Sequence, residues 1–344
     1  MKVLLSLSIL FYITFTVMEV KGIKINGHVV LGPMAGVTSS SYREFMKPFG
    51  VGLSFSEMVS DCGIDYGNAK TFEYLKSAPL DSPFALQLFG FSLEHTLPAI
   101  KKMEEVASYD MLDLNFGCPV NKVVKTGAGS AWLKRVDELE HYVSEIVKVS
   151  SKPVSAKIRL GWDEDSINVI EVAKALERAG VCLLSVHCRT RSQGYSGKAR
   201  YEEISSLKEN IHIPLVVSGD IFSPIDAKMA LDIAHADLVM VARGGLGHPF
   251  LITQINEYLD NGVLLPNPDV LTQVDYARKF ALMLIEEKGE YIGIRELRGL
   301  LPHFFSSFPG YKRIRMQIAS SLDSKESLLN TLNGIEIREK HSQM

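Results

Sequence analysis

The sequence predicts an α/β fold, an eight-stranded parallel (β/α)8 TIM barrel followed by a small all-helical domain. Eight short apolar runs with strand character occur before Leu246, helical spacing of apolar residues separates most of them, and only that spacing continues afterwards. Strands and helices in strict alternation imply parallel strands with right-handed crossovers, and eight such units close a barrel. A doubly wound sheet is the alternative, but the glycine-rich fingerprint expected after its first strand is missing.

The predicted elements follow one another along the chain as such a barrel requires. The strands are Val29–Pro33, Leu53–Glu57, Phe84–Leu88, Met111–Asn115, Val154–Arg159, Cys182–His187, Leu215–Ser218 and Leu238–Ala242. Helices between them include Leu93–Val106, Val136–Val149, Ile167–Ala179 and Ile225–Ala234. Helices expected after the barrel are Phe250–Leu259, Val270–Lys288, Ile292–Leu301, Tyr311–Ala319 and Lys325–Leu332. We therefore expect a barrel over residues 18–249, a connecting helix and a Pro-containing linker over 250–268, and a helical domain over 269–344.

The first residues raise a separate question. Lys2 and the uncharged run Val3–Val17 have the layout of a secretory signal peptide, although the run is short for a membrane span. Met18 begins a partly alternating passage that meets Asn26-Gly27, a tight-hairpin signal, and such a hairpin would cover the bottom of the barrel. We expect translation from Met18, residues 1–17 as an upstream extension, and a cytoplasmic protein without stable membrane association. Export or anchoring is the alternative.

Composition and charge agree with an enzyme that works in a reducing compartment. The chain has 344 residues, 46% of them hydrophobic, which is enough for a full core. Its four cysteines show neither a metal-ligand spacing nor a disulfide framework, so no metal is expected. The net charge is −3, yet His187–Tyr201 has four cations and no acid, and Lys288–Arg315 has six cations against two acids. This asymmetry is typical of an RNA-binding face.

The fourth predicted strand has the most informative ending. An alternating apolar run leads into Asn115-Phe116-Gly117-Cys118-Pro119, and the small run Gly127-Ala128-Gly129-Ser130 follows. The carboxyl ends of barrel strands carry the active site, so this strand delivers an amide and a thiol to the place where chemistry occurs. A core strand followed by an inert cysteine is the alternative.

This run, with Val123 and Gly129-Ser130, resembles the signature of the tRNA-dihydrouridine synthases of the FMN-dependent bacterial type. Further segments resemble the same family in order: Gly32–Thr38, Gln87–Gly90, Ala156–Trp162, His187–Arg191, Ser218–Asp220 and Ala242–Gly245. A weaker match continues to about residue 330. The resemblance implies reduction of a uracil in tRNA to 5,6-dihydrouracil with FMN as cofactor, and with NADPH or NADH as electron donor.

A flavin site needs a flat slot, a positive charge near the ring and a grip on the phosphate. Pro33, Met34 and Ala35 are expected along the ring, Gln87 at its pyrimidine edge, and Lys157 as the charge. Barrels of this kind bind phosphate at the ends of the seventh and eighth strands. The residues at those ends are Ser218, Gly219, Asp220, Ala242 and Arg243. The family more often has Asn at position 218 and Gly at position 242.

The resemblance makes Cys118 the proton donor to C5 of the uracil, because a thiol with an ordinary pKa stays protonated at neutral pH. Asn115 is expected to hydrogen-bond the base, and His187 to contact the flavin or the base. A uracil must leave its stack to reach a recessed flavin, so basic residues are expected at the rim. Those expected to contact tRNA are Arg189 and Arg191, with Tyr195 and Arg200 beside them, and Arg295 and Arg298 in the helical domain.

Two other functions remain open at the level of sequence. One is an FMN-dependent barrel oxidoreductase acting on a small molecule, such as a dihydroorotate dehydrogenase or an ene-reductase. The other is a non-catalytic tRNA-binding protein. The Asn-x-Gly-Cys-Pro spacing disfavours the first, and the presence of both Lys157 and Cys118 disfavours the second. The sequence does not determine which uridine is reduced, which nicotinamide is preferred or the oligomeric state.

Overall fold

The computed structural model of this chain describes residues 17–308 and 310–342. The leader expected over residues 1–17 therefore lies outside the described residues, apart from Val17. Within the described ranges, no helix is both long and apolar enough to cross a membrane.

Eight parallel strands close a barrel. The strands of the chain are β1 (Val17–Val20), β2 (Ile23–Asn26), β3 (Val29–Leu31), β4 (Leu53–Phe55), β5 (Val59–Ser60), β6 (Phe84–Phe89), β7 (Met111–Asn115), β8 (Val154–Arg159), β9 (Leu183–His187), β10 (Leu215–Ser218) and β11 (Leu238–Val241). The closed circuit runs through β3, β4 and β6 to β11, and β11 pairs with β3. The short β5 pairs with β6 beyond the end of β4. All eight predicted barrel strands are confirmed.

Helices cover the outside of the barrel and continue beyond it. They are α1 (Ser40–Met46), α2 (Asp61–Asp65), α3 (Ala69–Phe72), α4 (Leu93–Val106), α5 (Asn121–Val124), α6 (Val136–Val149), α7 (Val169–Arg178), α8 (Pro224–Ala234), α9 (Phe250–Asn261), α10 (Val270–Lys288), α11 (Glu290–Leu300), α12 (Lys312–Ser321) and α13 (Lys325–Ser342). Each helix predicted from apolar spacing is present. The spacing did not predict the helices of only one to two turns, because so few positions cannot show a period of 3.6 residues.

The β1–β2 hairpin covers the bottom of the barrel as expected. Val20 and Ile25 are buried in one apolar cluster with interior residues of the barrel strands, among them Leu53. The turn, however, lies at Lys21-Gly22 and not at Asn26-Gly27. Lys21 and Gly22 both have positive φ, 49° and 84°, as the two central residues of a type I′ hairpin turn require.

Asn26-Gly27 instead leads the chain from the hairpin into the first barrel strand. Gly27 has a φ of 79°, and a Cβ there would lie 2.9 Å from Oδ1 of Asn256 on α9. That oxygen accepts a hydrogen bond from the backbone N–H of His28, and the Asn256 amide donates to the carbonyl of Gly50. The glycine therefore permits close approach of a helix, a contact that the dipeptide alone does not reveal.

The helix that we expected to connect the two domains, α9, packs against the barrel. It lies against α8 and β3, and Thr253 on it donates a hydrogen bond to the carbonyl of Phe49. The next helix, α10, is joined to the barrel by aromatic packing, since the ring of Phe280 lies 5.4 Å from those of Tyr42 and Phe45 on α1. The helical domain thus shares its core with the barrel, so removing it would expose large buried side chains.

Candidate active site

A cavity opens at the carboxyl ends of the barrel strands. Residues from the ends of five strands line it: Gly32, Pro33 and Met34 after β3, Lys157 on β8, His187 and Tyr195 from β9 and its loop, Ser218 on β10 with Gly219 to Phe222 after it, and Met240 on β11 with Ala242, Arg243 and Gly244 after it. The cavity therefore brings together nine of the eleven residues predicted to bind the flavin. The other two, Ala35 and Gln87, lie outside this lining, and Ala35 is exposed.

Lys157 supplies the charge in this cavity. Among the described residues, no group forms a hydrogen bond or ion pair with its ammonium. Burial, and next the charge of Arg159, lowers the pKa of Lys157 to about 8, while the carboxylate of Asp113 acts in the opposite direction. Lys157 is half-buried, and a partly desolvated cation without a partner is costly, so the site favours an anionic group placed against it.

The two turns after β10 and β11 form a cradle that only glycine permits. Gly219 has a φ of 127°, and a Cβ there would lie 2.8 Å from Cβ of Ala199. A Cβ on Gly244 would lie 1.9 Å from the carbonyl oxygen of Ile221, which is impossible without a shift of the backbone. The glycines therefore allow the two turns to pack closely against neighbouring backbone and side chains at the cavity.

Arg243 stands at the mouth of this cradle. Its guanidinium lies 4.5 Å from the ring centre of Tyr195, and Nη2 is 3.4 Å from Oδ1 of Asp220. The side chain is half-exposed, so its remaining donors are available to an anion. The cradle and Lys157 together place positive charge at two points of one cavity, which fits an anionic ligand.

His187 lines the same cavity as Lys157 and Arg243. Burial, and next the charges of Arg159 and Lys157, holds the pKa of His187 well below its usual value. The imidazole is therefore neutral at physiological pH, and it can donate or accept a hydrogen bond without adding charge.

Cys118 follows β7 and is nearly buried. Its backbone N–H donates to Oδ1 of Asn115 at 2.8 Å, and both the backbone N–H and the hydroxyl of Ser130 donate to its carbonyl. A Cβ on Gly129, which has a φ of 60°, would lie 2.9 Å from that same carbonyl. The spacing between the cysteine and the small run therefore has a physical basis: the run clamps the turn that carries the thiol. Burial raises the pKa of Cys118, so the thiol stays protonated at neutral pH.

Gln87 does not have the environment that we expected. Its Nε2 donates to Oδ2 of Asp113, and its Oε1 accepts from Nδ2 of Asn115, both at 2.7 Å. The Asn115 amide is likewise engaged, since its oxygen accepts from the N–H groups of Gly117 and Cys118. Both amides thus form their hydrogen bonds inside the barrel. Proteins bury polar groups at low cost only when they are bonded in this way.

Arg189 lies in the interior and not at the rim, where we expected it. It is 1% exposed, and its guanidinium binds Asp220 and the carbonyls of Ser196 and Gly197. A side chain so enclosed offers almost no surface to a large nucleic acid. In this position it braces the loop after β9 against the turn after β10.

The other predicted tRNA contacts lie nearer the surface. Arg191 is half-buried against the ring of Trp162 and donates to Asn121, and Arg200 pairs with Glu164. On α11, Arg295 is exposed beside Tyr291, whereas Nε of Arg298 donates to the carbonyl of Leu322. Their exposure therefore differs, although their charge in the sequence is the same.

Sequence reasoning overlooked two residues of the site. Asp113 lies on the same strand face as Asn115, and Arg159 on the same strand as Lys157, each two positions away. Arg159 donates to the carbonyls of Gly117 and Thr190, so it ties together the loops after β7 and β9. A charge within an otherwise apolar strand was the available signal, because residues two apart in a strand share a face.

Comparison with known proteins agrees with this geometry. The sequence pattern of the family described as dihydrouridine synthase (Dus) matches residues 30–341. A protein named "Probable tRNA-dihydrouridine synthase" from Rickettsia bellii (strain RML369-C) is 34% identical over 298 residues, 86% of this chain and 91% of that protein. The tRNA-dihydrouridine synthase B of Pasteurella multocida (strain Pm70) is 30% identical over 312 residues, 91% of this chain and 94% of that protein.

Among solved structures, histamine dehydrogenase from Rhizobium sp. 4-9 superposes with a TM-score of 0.56 and 13% identity. The match covers 79% of this chain and 51% of that chain. At this level of identity the likeness concerns the fold alone.

Proposed function

This chain belongs to the dihydrouridine synthase family, and from that premise we propose that it reduces the C5–C6 double bond of uridines in tRNA, with FMN as cofactor and Cys118 as proton donor. It is a tRNA-dihydrouridine synthase, an oxidoreductase, and its family consists of flavin enzymes. NADPH or NADH is the proposed source of electrons. The family assignment favours this function over a small-molecule oxidoreductase and over a non-catalytic tRNA-binding protein.

One observation supports the proposal most directly. The strands β7 and β8 pair so that Asn115 lies opposite Lys157, and the backbone N–H of Phe116 donates to the Lys157 carbonyl at 2.8 Å. The protonated thiol of Cys118 thus follows immediately after a strand whose neighbour carries a cation with no ion-pair partner in the described part of the chain. Reduction of a uracil needs both an acid and a stabilised anion.

In the proposed mechanism Lys157 would hold the flavin ring by its charge, and the cradle at Gly219, Gly244 and Arg243 would hold the phosphate. When bound there, FMN supplies the hydride that is added at C6 of the uracil. The Cys118 thiol gives its proton to C5, and its raised pKa keeps that proton in place until charge develops on the base. Neutral His187 can hydrogen-bond the ring or the base.

We further propose that the helical domain, α10 to α13, holds tRNA against the mouth of the barrel. Arg295 on α11 and the exposed Lys312 and Arg313 on α12 are the cations proposed to meet phosphates. Arg191 would contact the RNA from the barrel side.

The test is direct reduction of an unmodified tRNA transcript. Flavin-loaded enzyme, reduced with NADPH or NADH, should convert uridine to dihydrouridine, detected by mass spectrometry of the nucleosides. The Cys118→Ala variant is the matched control and should form product roughly 100-fold more slowly or worse. Absence of product from every transcript offered to a flavin-loaded wild-type enzyme would contradict the function. Mapping the sites missing from the tRNA of a deletion strain would identify the uridine.

A further inference from the structure

A line of hydrogen bonds crosses the barrel interior from β8 to β6 and β7. The hydroxyl of Ser155 donates to Oδ1 of Asp113 at 2.6 Å, and Nε2 of Gln87 donates to Oδ2 of Asp113 at 2.7 Å. Nδ2 of Asn115 then donates to Oε1 of Gln87 at 2.7 Å. Asp113 and Gln87 are almost wholly buried, so these groups have few alternatives to one another.

The last bond of the line reaches the cysteine turn. Oδ1 of Asn115 accepts from the backbone N–H of Cys118 at 2.8 Å and from that of Gly117 at 3.1 Å. Asp113 is thus linked to the turn that carries the thiol through two amide side chains.

The two ends of this line decide the direction of every bond in it. Burial raises the pKa of Asp113 to about 6, against the opposing effect of the hydrogen bonds from Gln87 and Ser155. Because both of those groups donate to it, the carboxyl acts as an acceptor at each of its oxygens. A backbone N–H can only donate hydrogen bonds. The two amides between these ends satisfy both of them in one orientation only: Gln87 turns its NH2 toward Asp113, and Asn115 turns its oxygen toward Cys118. Reversal of either amide would bring two donors or two acceptors together.

We propose that Asp113 is a positioning residue for the reduction of uracil: it orients Gln87, Gln87 orients Asn115, and Asn115 holds the backbone of Cys118 so that the thiol faces the base. The inference rests on the proposed role of Cys118 as proton donor. Asp113 acts through other residues and touches no reacting atom.

What Asp113 contributes, on this view, is an acceptor for Gln87 and not a charge. Asp113→Leu removes the acceptor and puts an apolar group of similar size in its place, so the buried NH2 of Gln87 loses its partner and Gln87 is no longer held beside Asn115 from that side. Asp113→Asn removes the same charge but keeps an acceptor. Its amide can turn the oxygen toward Gln87 and the NH2 toward the Ser155 hydroxyl, which accepts as well as donates.

The two variants therefore form a matched pair. Both are neutral at position 113, so the loss of electrostatic attraction to Lys157 is common to them. Any difference between them reports the hydrogen bond to Gln87. An effect of charge alone would instead make the two variants alike.

The first experiment compares wild type and both variants in flavin-loaded form. Single-turnover reduction of tRNA by the pre-reduced enzyme should slow by about 10- to 100-fold in Asp113→Leu relative to Asp113→Asn, the scale expected for a misplaced acid. Reduction of the flavin by nicotinamide should differ between the two by less than about threefold, since Cys118 takes no part in it.

A second substitution tests whether Asp113 acts through Gln87. Gln87→Leu breaks the same line at its next member, so it should slow the tRNA step by a similar factor. If both residues act through the same line of hydrogen bonds, a second substitution has nothing further to disrupt. The double variant Asp113→Leu/Gln87→Leu should therefore reduce tRNA no more slowly than the slower of the two single variants. Multiplied losses in the double variant would mean that the two residues act independently.

A third measurement needs neither flavin nor tRNA. The rate at which iodoacetamide alkylates Cys118 in the flavin-free protein should change in Asp113→Leu and stay near the wild-type value in Asp113→Asn. Cys118→Ala identifies the labelled site. Ser155→Ala is the matched control: it removes a bond to the same carboxylate without depriving Gln87 of its acceptor, and it should leave both rates near those of the wild type.

Two results would overturn the proposal. One is an Asp113→Asn protein as slow as Asp113→Leu in the tRNA step, and the other is a folded Asp113→Leu protein with wild-type tRNA reduction and alkylation. Failure of the proposed function would look different. In that case wild type itself would form no dihydrouridine, while the alkylation rates would still report whether Asp113 orients the cysteine turn.

Discussion

Arg189 and Asp220 form an ion pair in which Nη2 and Oδ2 are 2.5 Å apart, directly behind the cradle at the ends of β10 and β11. The same carboxylate accepts from the backbone N–H of Ala199, and Arg243 lies on its other oxygen. Asp220 itself has a φ of 50°, outside the range that most residues prefer. The buried arginine thus stabilises an uncommon backbone shape at the proposed phosphate site.

Replacing Arg189 by Met should therefore affect FMN and not tRNA. Removing one partner of a largely buried pair leaves the carboxylate with less compensation, so we expect a loss of about 1–3 kcal/mol in the free energy of unfolding and weaker FMN binding. The salt dependence of tRNA binding should stay as in the wild type. If the slope of log tRNA affinity against log salt concentration fell by about one unit, Arg189 would instead contact a phosphate.

Lys157 should make FMN binding depend on pH. Its pKa of about 8 means that the ammonium loses its proton at a lower pH than an ordinary lysine, and an anionic ligand must hold that proton in place. Affinity for reduced FMN, whose ring is anionic, should therefore fall as the pH rises above about 8, by up to about tenfold per unit. Lys157→Arg keeps its charge and should flatten the profile, as measured by anaerobic titration of the flavin-free protein with reduced FMN. Equal slopes for both proteins would contradict this role.

Changing Lys157 to Ala should weaken the binding of reduced flavin more than that of oxidised flavin, because only the reduced ring carries a negative charge at neutral pH. The midpoint potential of the bound flavin would then fall relative to the wild type. A spectroelectrochemical titration measures this directly, and an unchanged potential would argue against contact between Lys157 and the ring.

Substitution of Cys118 should affect only one of the two half-reactions, the reduction of uridine in tRNA, and not the reduction of the flavin by nicotinamide. We expect Cys118→Ala to be reduced by nicotinamide at a near-normal rate, while dihydrouridine formation falls by roughly 100-fold or more, the usual scale for a lost general acid. Cys182→Ala, which removes a buried thiol of the bottom cluster, is the matched control and should keep the rate of the tRNA step. Parallel losses in both half-reactions of Cys118→Ala would indicate a structural role.

The two arginines of α11 should differ when each is neutralised. Arg295 is exposed, so Arg295→Gln should flatten the salt dependence of tRNA binding by about one unit of log–log slope and leave the free energy of unfolding unchanged. Arg298 donates to the carbonyl of Leu322 between α12 and α13, so Arg298→Gln should lower that free energy by about 1–3 kcal/mol. Filter binding at several salt concentrations and urea unfolding distinguish the two outcomes.

The barrel and the order of its strands could be predicted from the chain itself. Apolar runs such as Met111–Asn115 and amphipathic segments such as Val136–Val149 are local patterns, and the structure has both with the predicted bounds. The residues at strand ends were also accessible, because parallel strands that close a barrel must bring their carboxyl ends to one face. That rule places Lys157, His187 and Arg243 together from the sequence alone.

Only the tertiary structure decided which of these polar residues face the cavity and which bind one another. Gln87, which stays a predicted flavin contact, bonds Asp113 and Asn115 inside the barrel, and Arg189, predicted at the rim, is held in the interior by Asp220. Hydrogen bonds and ion pairs of this kind join residues distant in the chain, and their partners depend on side-chain directions within the closed barrel. The sequence by itself therefore determined the architecture and the positions of the reactive ends, because periodicity is local, whereas the pairing of buried polar groups is settled only when the strands meet.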